Sequence, residues 1–396
     1  MSLPIQGKGS LSLKKIAIIG ASYLQNPLIL KAKELGYETH VFAWECGDIG
    51  EKTADYFYPI SIVEKERILS KCREIGIDGV CSIGSDLANT VVSYIASSMG
   101  LVSNTIEATR LSTDKHAMRD AFEKNGDPSP KSMVVDKGFC LVDSGLQFPI
   151  IVKPADRSGS RGITKLESAD RFEEAVERAK NESFSGVVLA EEFFQGNEYS
   201  VEYISWKGKH YFLSITEKFT SGAPMFIEKG HLEPARVSAS IEMKVKCVVE
   251  HALDGLGVEY GASHSELKIN EDGEIAIIEI GSRMGGDRIG SDLVSLSTGY
   301  DFVASVVAVA MGQCPALPEI EEHKYAAIRY VFDNKDLSAL DALKKNAPNL
   351  LLKADVSGFG KHAIVDSSSR FGYFMMCADS IADLSPYLPD HSEEGL

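Results

Sequence analysis

Long hydrophobic runs are missing from this sequence: no window of about 18 apolar residues occurs, the length a membrane-spanning helix needs. That argues against a transmembrane helix. Basic residues are also scarce for a chain of 396 residues, with 41 Lys and Arg against 57 Asp and Glu and a formal charge of −16. A nucleic-acid or membrane-surface role, which calls for a basic face, is disfavoured. Cys46, Cys72, Cys81, Cys140, Cys247, Cys314 and Cys377 are scattered, with no C-x-x-C pair and no metal-like spacing. They read as buried, reduced thiols of a cytoplasmic protein. Two phosphate-binding signatures are missing as well. The turn Gly20-Ala-Ser-Tyr-Leu-Gln lacks the second and third glycines of the dinucleotide fingerprint, and no G-x-x-x-x-G-K-[ST] occurs. Met1–Ser12 lacks the apolar stretch of a signal peptide and reads as a disordered leader, as Asp390–Leu396 reads as a tail.

What is present is a soluble globular composition, 44% hydrophobic and 25% charged, in a chain long enough for two or three domains. Lys15–Ile19, Thr39–Ala43 and Gly79–Ile83 read as strands, and Pro27–Leu35, Ile68–Ile75 and Asn89–Met99 as helices. This alternation predicts parallel βαβ units and a doubly wound domain over 14–105. From Thr113 the texture changes to α+β. A helix at Asp114–Asn125 precedes strands at Pro149–Lys153, Val187–Glu191, Tyr199–Ser205, His210–Thr216, His264–Ile269 and Ile275–Ile280. Helices at Ala169–Lys180 and Ile241–Leu256 separate them. The expected division is one domain over 106–312, with lobes at about 113–205 and 206–312, and a smaller α+β piece over 313–390.

Four segments carry the chemistry. In Glu266-Leu-Lys-Ile-Asn-Glu-Asp-Gly-Glu-Ile-Ala-Ile-Ile-Glu279, the Asp272-Gly273 pair is a strong hairpin signal. A two-residue turn there pairs Glu271 with Glu274 and sets Glu266 opposite Glu279 on one face. Like charges so placed are destabilising unless a cation lies between them, and a hard divalent ion such as Mg²⁺ suits an all-oxygen site. A solvated pair on an exposed face is the plainer alternative. The second segment, Ile150-Ile-Val-Lys153-Pro-Ala-Asp-Arg-Ser158-Gly159-Ser160-Arg-Gly162, ends a strand in lysine and continues into a small-residue loop. Such a loop lets backbone N–H groups approach phosphate, or is an ordinary surface hairpin. The third, Glu191-Glu192-Phe193-Phe194-Gln-Gly-Asn-Glu198, sets carboxylates around an apolar step that could take a base and a ribose, or simply packs. The fourth follows Glu279 with Arg283 and Arg288, suited to clamping phosphate or carboxylate, or solvated on a glycine-rich loop. His264 shares the face of Glu266, as a core or second-layer histidine or a substrate contact.

Taken in this order, the four segments resemble the ATP-grasp superfamily over residues 14–310. The resemblance implies a leading doubly wound domain, then two α+β lobes that clasp ATP. It implies that Lys115 and Lys153 contact the ATP phosphates and that the loop from Ser158 to Gly162 closes over them. Glu191 would take the adenine amino group, the Phe193–Phe194 backbone the base, and Glu198 the ribose. Glu266 and Glu279 match the two acids that hold Mg²⁺ or Mn²⁺. Ser263-His264-Ser-Glu266-Leu-Lys268 and Glu279-x-x-x-Arg283 look most like the L-amino-acid ligase and carbamoyl-phosphate-synthase-like branches. In the amino-acid ligases the arginine steadies an acyl phosphate. One departure stands out: many members carry Asn two residues after the second acid, where this chain has Gly281. The implied activity is ATP-dependent joining of a small-molecule carboxylate to an amine, with no nucleic acid or membrane partner and a homodimer left open. His231, in Gly230-His-Leu-Glu-Pro, reads as a loop histidine or a substrate contact. Bicarbonate activation on the same fold, and ATP binding without catalysis, are the rival readings.

Overall fold

The computed structural model describes residues 13–157, 159, 161–223, 226–320, 323–361 and 369–391. The expected leader Met1–Ser12, the loop serines Ser158 and Ser160, and residues 392–396 of the expected tail lie outside them. β1 (Lys15–Ile19), β2 (Glu38–Ala43), β3 (Tyr56–Pro59) and β4 (Gly79–Cys81) form a parallel sheet in the order β3-β2-β1-β4. This is the doubly wound start the spacing predicts, with β3 added. The helix Asp86–Met99 begins where Ser85 accepts from Ala88 N at 3.3 Å and stops at Gly100. Its first residue, Asp86, is thereby fixed at the sheet's carboxyl edge.

β5 (Ser132–Val134), β6 (Ile150–Pro154), β7 (Thr164–Leu166) and β8 (Val188–Glu192) make a small antiparallel sheet in the order β5-β8-β6-β7. β9 (Asn197–Trp206), β10 (Lys209–Thr220), β11 (Glu228–Glu233), β12 (Tyr260–Ile269), β13 (Ile275–Gly281), β14 (Tyr325–Tyr330), β15 (Leu351–Val356) and β16 (Gly372–Ala378) make a large one. Its order is β13-β12-β9-β10-β11-β14-β16-β15, antiparallel throughout. Two features differ from the sequence reading. β9, expected in the first lobe, belongs to the large sheet because Lys207 and Gly208, both at positive φ, close a tight hairpin onto β10. β14–β16 extend that same sheet, so the strands after 313 share the backbone ladder of the residues before it.

One face of the large sheet is apolar. Tyr199, Val201, Tyr203, Leu267 and Ile277 pack against Val245, Val249 and Leu253 of the helix Ala239–Gly255 and against Met118 and Phe122 of the helix Lys115–Asn125. Because strand side chains alternate, Ser200, Glu202, Lys218, His264 and Glu266 are turned to the opposite face. A second core joins this sheet to the first domain. Phe302, Val303, Val306 and Val307 of the helix Phe302–Ala310 are buried with Ile16, Ile18, Leu28 and Ile29. Four such side chains contribute roughly 6–12 kcal/mol in transfer terms, more than any single ion pair across the junction. The approach is close: a Cβ on Gly79 would lie 2.5 Å from the Ala310 carbonyl oxygen.

No described helix is long and apolar enough to cross a membrane. All seven cysteines are free, but only Cys72 and Cys81 are buried; Cys46, Cys140, Cys247 and Cys314 are exposed, against the expectation of buried thiols. The tail reading also fails at its start. His391 Nε2 lies 2.6 Å from Glu217 and its ring packs on Phe219 at 4.6 Å, which anchors the residue.

Candidate active site

The hairpin β12–β13 sets Glu266 opposite Glu279, as expected, by a different route. The turn is a three-residue loop, Glu271–Gly273, with Gly273 at φ 73 and Asn270 facing Glu274. That loop slips the register by one, so Ile269 pairs with Ile275 and Leu267 with Ile277. Continued unbroken, it would turn Glu279 to the other face. A bulge at Ile278 restores it. Arg119 holds the bulge by donating to the Ile278 carbonyl at 2.8 Å.

Each acid meets a lysine. Lys115, at the first turn of its helix behind the Asp114 cap, places Nζ 2.9 Å from Glu279 Oε1. Burial opposes its charge, but Glu279 holds the ammonium above its ordinary range. Lys218 on β10, 2% exposed, lies 2.8 Å from Glu266, 2.8 Å from Glu228 and 3.0 Å from Glu198. Against the burial penalty, Lys218 holds Glu266 well below the usual carboxylate range. The oxygens of Glu198, Glu228 and Glu266 lie within 4.8 Å of one another. This all-oxygen set fits a hard divalent cation.

At the end of β6, Lys153 Nζ is 2.5 Å from Glu191 Oε2, and Arg119 Nε is 3.0 Å from Oε1. Two buried cations share one carboxylate. Burial lowers Lys153, with Arg119 and Lys115 adding to it, while the two cations outweigh burial and bring Glu191 down to about 2. Glu191, expected at an adenine amino group, is thus turned to these cations. Glu192 accepts from Gln147 N at 3.0 Å, and the Phe193 ring lies under two lysines, Lys165 at 4.4 Å and Lys268 at 4.2 Å. Phe194 is half-buried. Phe193, Glu198, Lys218, Lys268 and His391 line one cleft. Gly159 and Gly162 both adopt φ 72, which side chains disfavour.

Arg283 is clamped by Asp86 of the first domain, Nε to Oδ1 at 2.8 Å and Nη2 to Oδ2 at 3.1 Å. Asn89 Nδ2 reaches the Ser282 carbonyl at 3.1 Å and Gly84 N reaches the Met284 carbonyl at 3.1 Å. This pair accounts for Gly281: a Cβ there would lie 3.1 Å from Arg283 Cζ and 3.2 Å from Asp86 Oδ1. Where many ATP-grasp proteins carry Asn, this chain uses the volume for an interdomain ion pair. Arg288 stacks over Tyr373 at 4.5 Å and lies 3.4 Å from Asp292.

His264 joins Glu202, through Nδ1, to Glu266 Oε1, 3.4 Å from Nε2. Burial disfavours its charge, yet Glu202 raises it to about 9. Gly285 admits this contact, since a Cβ there would lie 2.6 Å from His264 Nδ1. His231 is not a loop residue: it sits in β11, 0% exposed, pushed down to about 3 by burial. Sequence reasoning missed Lys218, Arg119, Asp86, Glu202 and Glu228, and also the ion pair of Arg370, just before β16, with Asp287, 2.5 Å apart. The signal for Lys218 was available: it continues the inward alternation Ser214, Thr216, Lys218, where a lone lysine needs partners.

Residues 146–292 match the family model for the ATP-grasp domain, a span that reaches from β6 past Arg288. The chain is 26% identical to alanine–anticapsin ligase of Bacillus subtilis (strain 168) over 245 residues, 56% of this chain and 51% of that protein. It is 27% identical to D-alanine–D-alanine ligase of Aromatoleum aromaticum over 220 residues, 52% of this chain and 67% of the relative. The chain thus spans about half the length of the first curated relatives it matches. In fold it is similar to the crystal structure of L-amino acid ligase from Bacillus licheniformis, TM-score 0.77 at 21% identity, covering 94% of this chain and 95% of that one. On this match, the chain carries an ATP-grasp domain over residues 146–292, and in sequence and fold it is similar to ligases that share it.

Proposed function

We propose that this protein is a cytoplasmic, ATP-dependent carboxylate–amine ligase that works through an acyl phosphate. One observation carries the reading: Glu266 and Glu279 face each other on the polar side of the large sheet, with Lys115 and Lys218 on them and Arg283 held beside them. ATP·Mg²⁺ brings anions to the lysines and a cation to the acids, so each Lys–Glu contact is a placeholder for one end of the substrate. Mg²⁺ or Mn²⁺ on Glu266 and Glu279 supplies neutralisation of charge at the transferred phosphoryl group.

The chain's own residues do the rest. Lys115 and Lys153 meet the phosphates, and Lys218 offsets the charge of Glu198, Glu228 and Glu266 until they bind. A carboxylate oxygen of the first substrate attacks the γ-phosphorus, and ADP leaves. Arg283, kept in place by Asp86, lies where the acyl phosphate's negative oxygens need a guanidinium. The amine nitrogen then forms the C–N bond as the C–O bond to phosphate breaks, and the nitrogen gives up its proton. The Gly159–Gly162 loop excludes water from the intermediate.

The test is ADP and phosphate release on a panel of amino-acid pairs, in wild type and Glu279→Ala. Release that needs both a carboxylate and an amine, and that is lost in the folded variant, is expected. Full Mg²⁺-dependent turnover in Glu279→Ala, or release that answers to bicarbonate instead, refutes the reading.

A further inference from the structure

The residues after the last sheet strand are strapped across β14 and β11, and they bring one side chain to the cleft read as the nucleotide site. Arg329 on β14, itself paired with Asp336 at 2.9 Å, donates from Nη1 to the carbonyls of Tyr387 at 3.0 Å and Leu388 at 2.9 Å. Pro389 lies against Gly230, where a Cβ would come within 2.9 Å of its Cγ. Lys229 Nζ donates to the Asp390 carbonyl at 3.1 Å. These contacts deliver His391 to the end of β10, where its Nε2 lies 2.6 Å from Glu217 Oε1 and its ring packs on Phe219 at 4.6 Å. Strand alternation turns Glu217 and Phe219 away from the face of Lys218, so the ring is gripped from the far side of the sheet. It nevertheless lines the cleft with Phe193, Glu198, Lys218 and Lys268.

The grip leaves one ring atom to spare. Burial works against the charge of Glu217, but Arg236 and His391 bring its carboxyl down to about 2. An ionised carboxylate only accepts, so Nε2 carries the hydrogen of that contact. Nδ1 has no hydrogen-bond partner among the described residues. The anchor is also separate from the contacts that a nucleotide replaces. In this form the cleft has about 20 Å³ of free space, room for roughly one water, with Lys218 drawn onto Glu198 inside it. Phosphate and metal part those two in the reading above, whereas Glu217 and Arg236, 2.9 Å apart on the other face, lose nothing. His391 is therefore a wall in place before the nucleotide arrives, with little left to order. A ribose hydroxyl suits Nδ1 in either protonation state of the imidazole, since a hydroxyl both donates and accepts, whereas a base amino group only donates.

We propose that His391 recognises the nucleoside of the bound nucleotide, offering Nδ1 to a ribose hydroxyl in the cleft it shares with Glu198. The proposal rests on the nucleotide reading of that cleft. Glu217 is a positioning residue that acts through His391. The strands and turns after residue 313 thereby gain a part in the site, because they carry the strap that holds this ring.

The test is nucleotide binding. ADP, 2′-deoxy-ADP, 3′-deoxy-ADP and IDP, each with Mg²⁺, are titrated by calorimetry into wild type, His391→Ala and Glu217→Gln. Wild type is expected to bind ADP about tenfold more tightly than one of the deoxy forms, as for one lost hydrogen bond. His391→Ala should weaken ADP by about that factor and leave that deoxy form unchanged, so that the preference disappears. Glu217→Gln, which keeps the shape but loosens the ring, should narrow the same preference; an even loss across all four ligands overturns its positioning role. His391→Phe, which keeps the packing on Phe219 and removes both nitrogens, replaces His391→Ala if the latter does not fold. A loss in the His391 variant shared evenly by ADP and both deoxy forms overturns the proposal. A preference lost only against IDP places the ring at the base and overturns the ribose assignment. No ADP binding to wild type at millimolar concentration overturns the nucleotide reading itself, whereas ADP binding that ignores His391 overturns this proposal alone.

Discussion

Replacing Lys218 by methionine removes the ammonium that three carboxylates share while keeping most of the side-chain volume. Lys218 lies 2.8–3.0 Å from Glu198, Glu228 and Glu266, whose oxygens are within 4.8 Å of one another. At an effective dielectric of about 20, each attraction is roughly 6 kcal/mol and each carboxylate repulsion roughly 3 kcal/mol. Desolvation of the buried lysine takes back much of the difference. Removing one partner of a buried pair costs about 3–5 kcal/mol in practice. For a cooperative unit of 150–250 residues, ~3 kcal/mol lowers Tm by roughly 6–12 °C. The pH dependence inverts as well. In the wild type Lys218 holds Glu228 and Glu266 below their unfolded values, so their stabilisation is present above about pH 4.3 and is lost only as pH falls through the folded values. In Lys218→Met burial and mutual repulsion raise them instead, so stability falls as pH rises from about 5 to 8. Millimolar Mg²⁺ should restore part of the loss by binding the folded state. Thermal melts at pH 5, 6.5 and 8, with EDTA or Mg²⁺, measure all three effects. A variant that melts within a degree of wild type at pH 8 in EDTA, or grows more stable with rising pH, refutes the reasoning.

Gly285→Ala places a Cβ 2.6 Å from His264 Nδ1 and 3.0 Å from Glu202 Oε1, both buried. Overpacking of about 1–3 kcal/mol is expected in denaturant melts, with weaker Mg²⁺-dependent turnover as His264 leaves Glu266; an unchanged melt contradicts the contact. Asp86→Asn keeps the shape but leaves Arg283 without its counter-ion, so kcat should fall at least about tenfold with binding of ATP unchanged, read by single-turnover ADP release. Equal kcat would mean that Arg283 needs no tether. Glu233, fully buried, is raised to about 8 by burial, so the folded state binds its proton between about pH 4.3 and 8 and loses stability as pH rises. Glu233→Gln should therefore exceed the wild type in stability near pH 8 and converge with it near pH 4, and a variant less stable at both ends contradicts a neutral Glu233.

The first domain was legible because its strands and helices alternate with clean stop signals such as Gly36 and Gly100. The facing acids were legible for a partly wrong reason. The Asp-Gly signal located the hairpin, but the three-residue loop and the Ile278 bulge offset each other, and the bulge depends on Arg119 some 160 residues earlier. β11 was read as loop because Glu-Lys-Gly-His-Leu-Glu is polar on both faces; it is a strand only because the neighbouring strands bury it. The Asp86–Arg283 pair joins residues 197 apart and leaves no local trace. Arg370 escaped for the same reason, arriving from a piece with no motif to read.

The continuity of the eight-stranded sheet constrains how this protein can breathe. Glu266, Glu279 and the last strands ride on one hydrogen-bonded ladder, and the Phe302–Ala310 helix packs the first domain against it. The small sheet β5–β8 is bonded to neither sheet through its edges. The Arg119–Glu191 ion pair, at 3.0 Å, and the Lys115 N–H bond to the Ala155 carbonyl, at 3.2 Å, tie it to the helix that packs on the large sheet. Both acids therefore share any strain on the large ladder, whereas the small sheet can shift without breaking a strand pairing.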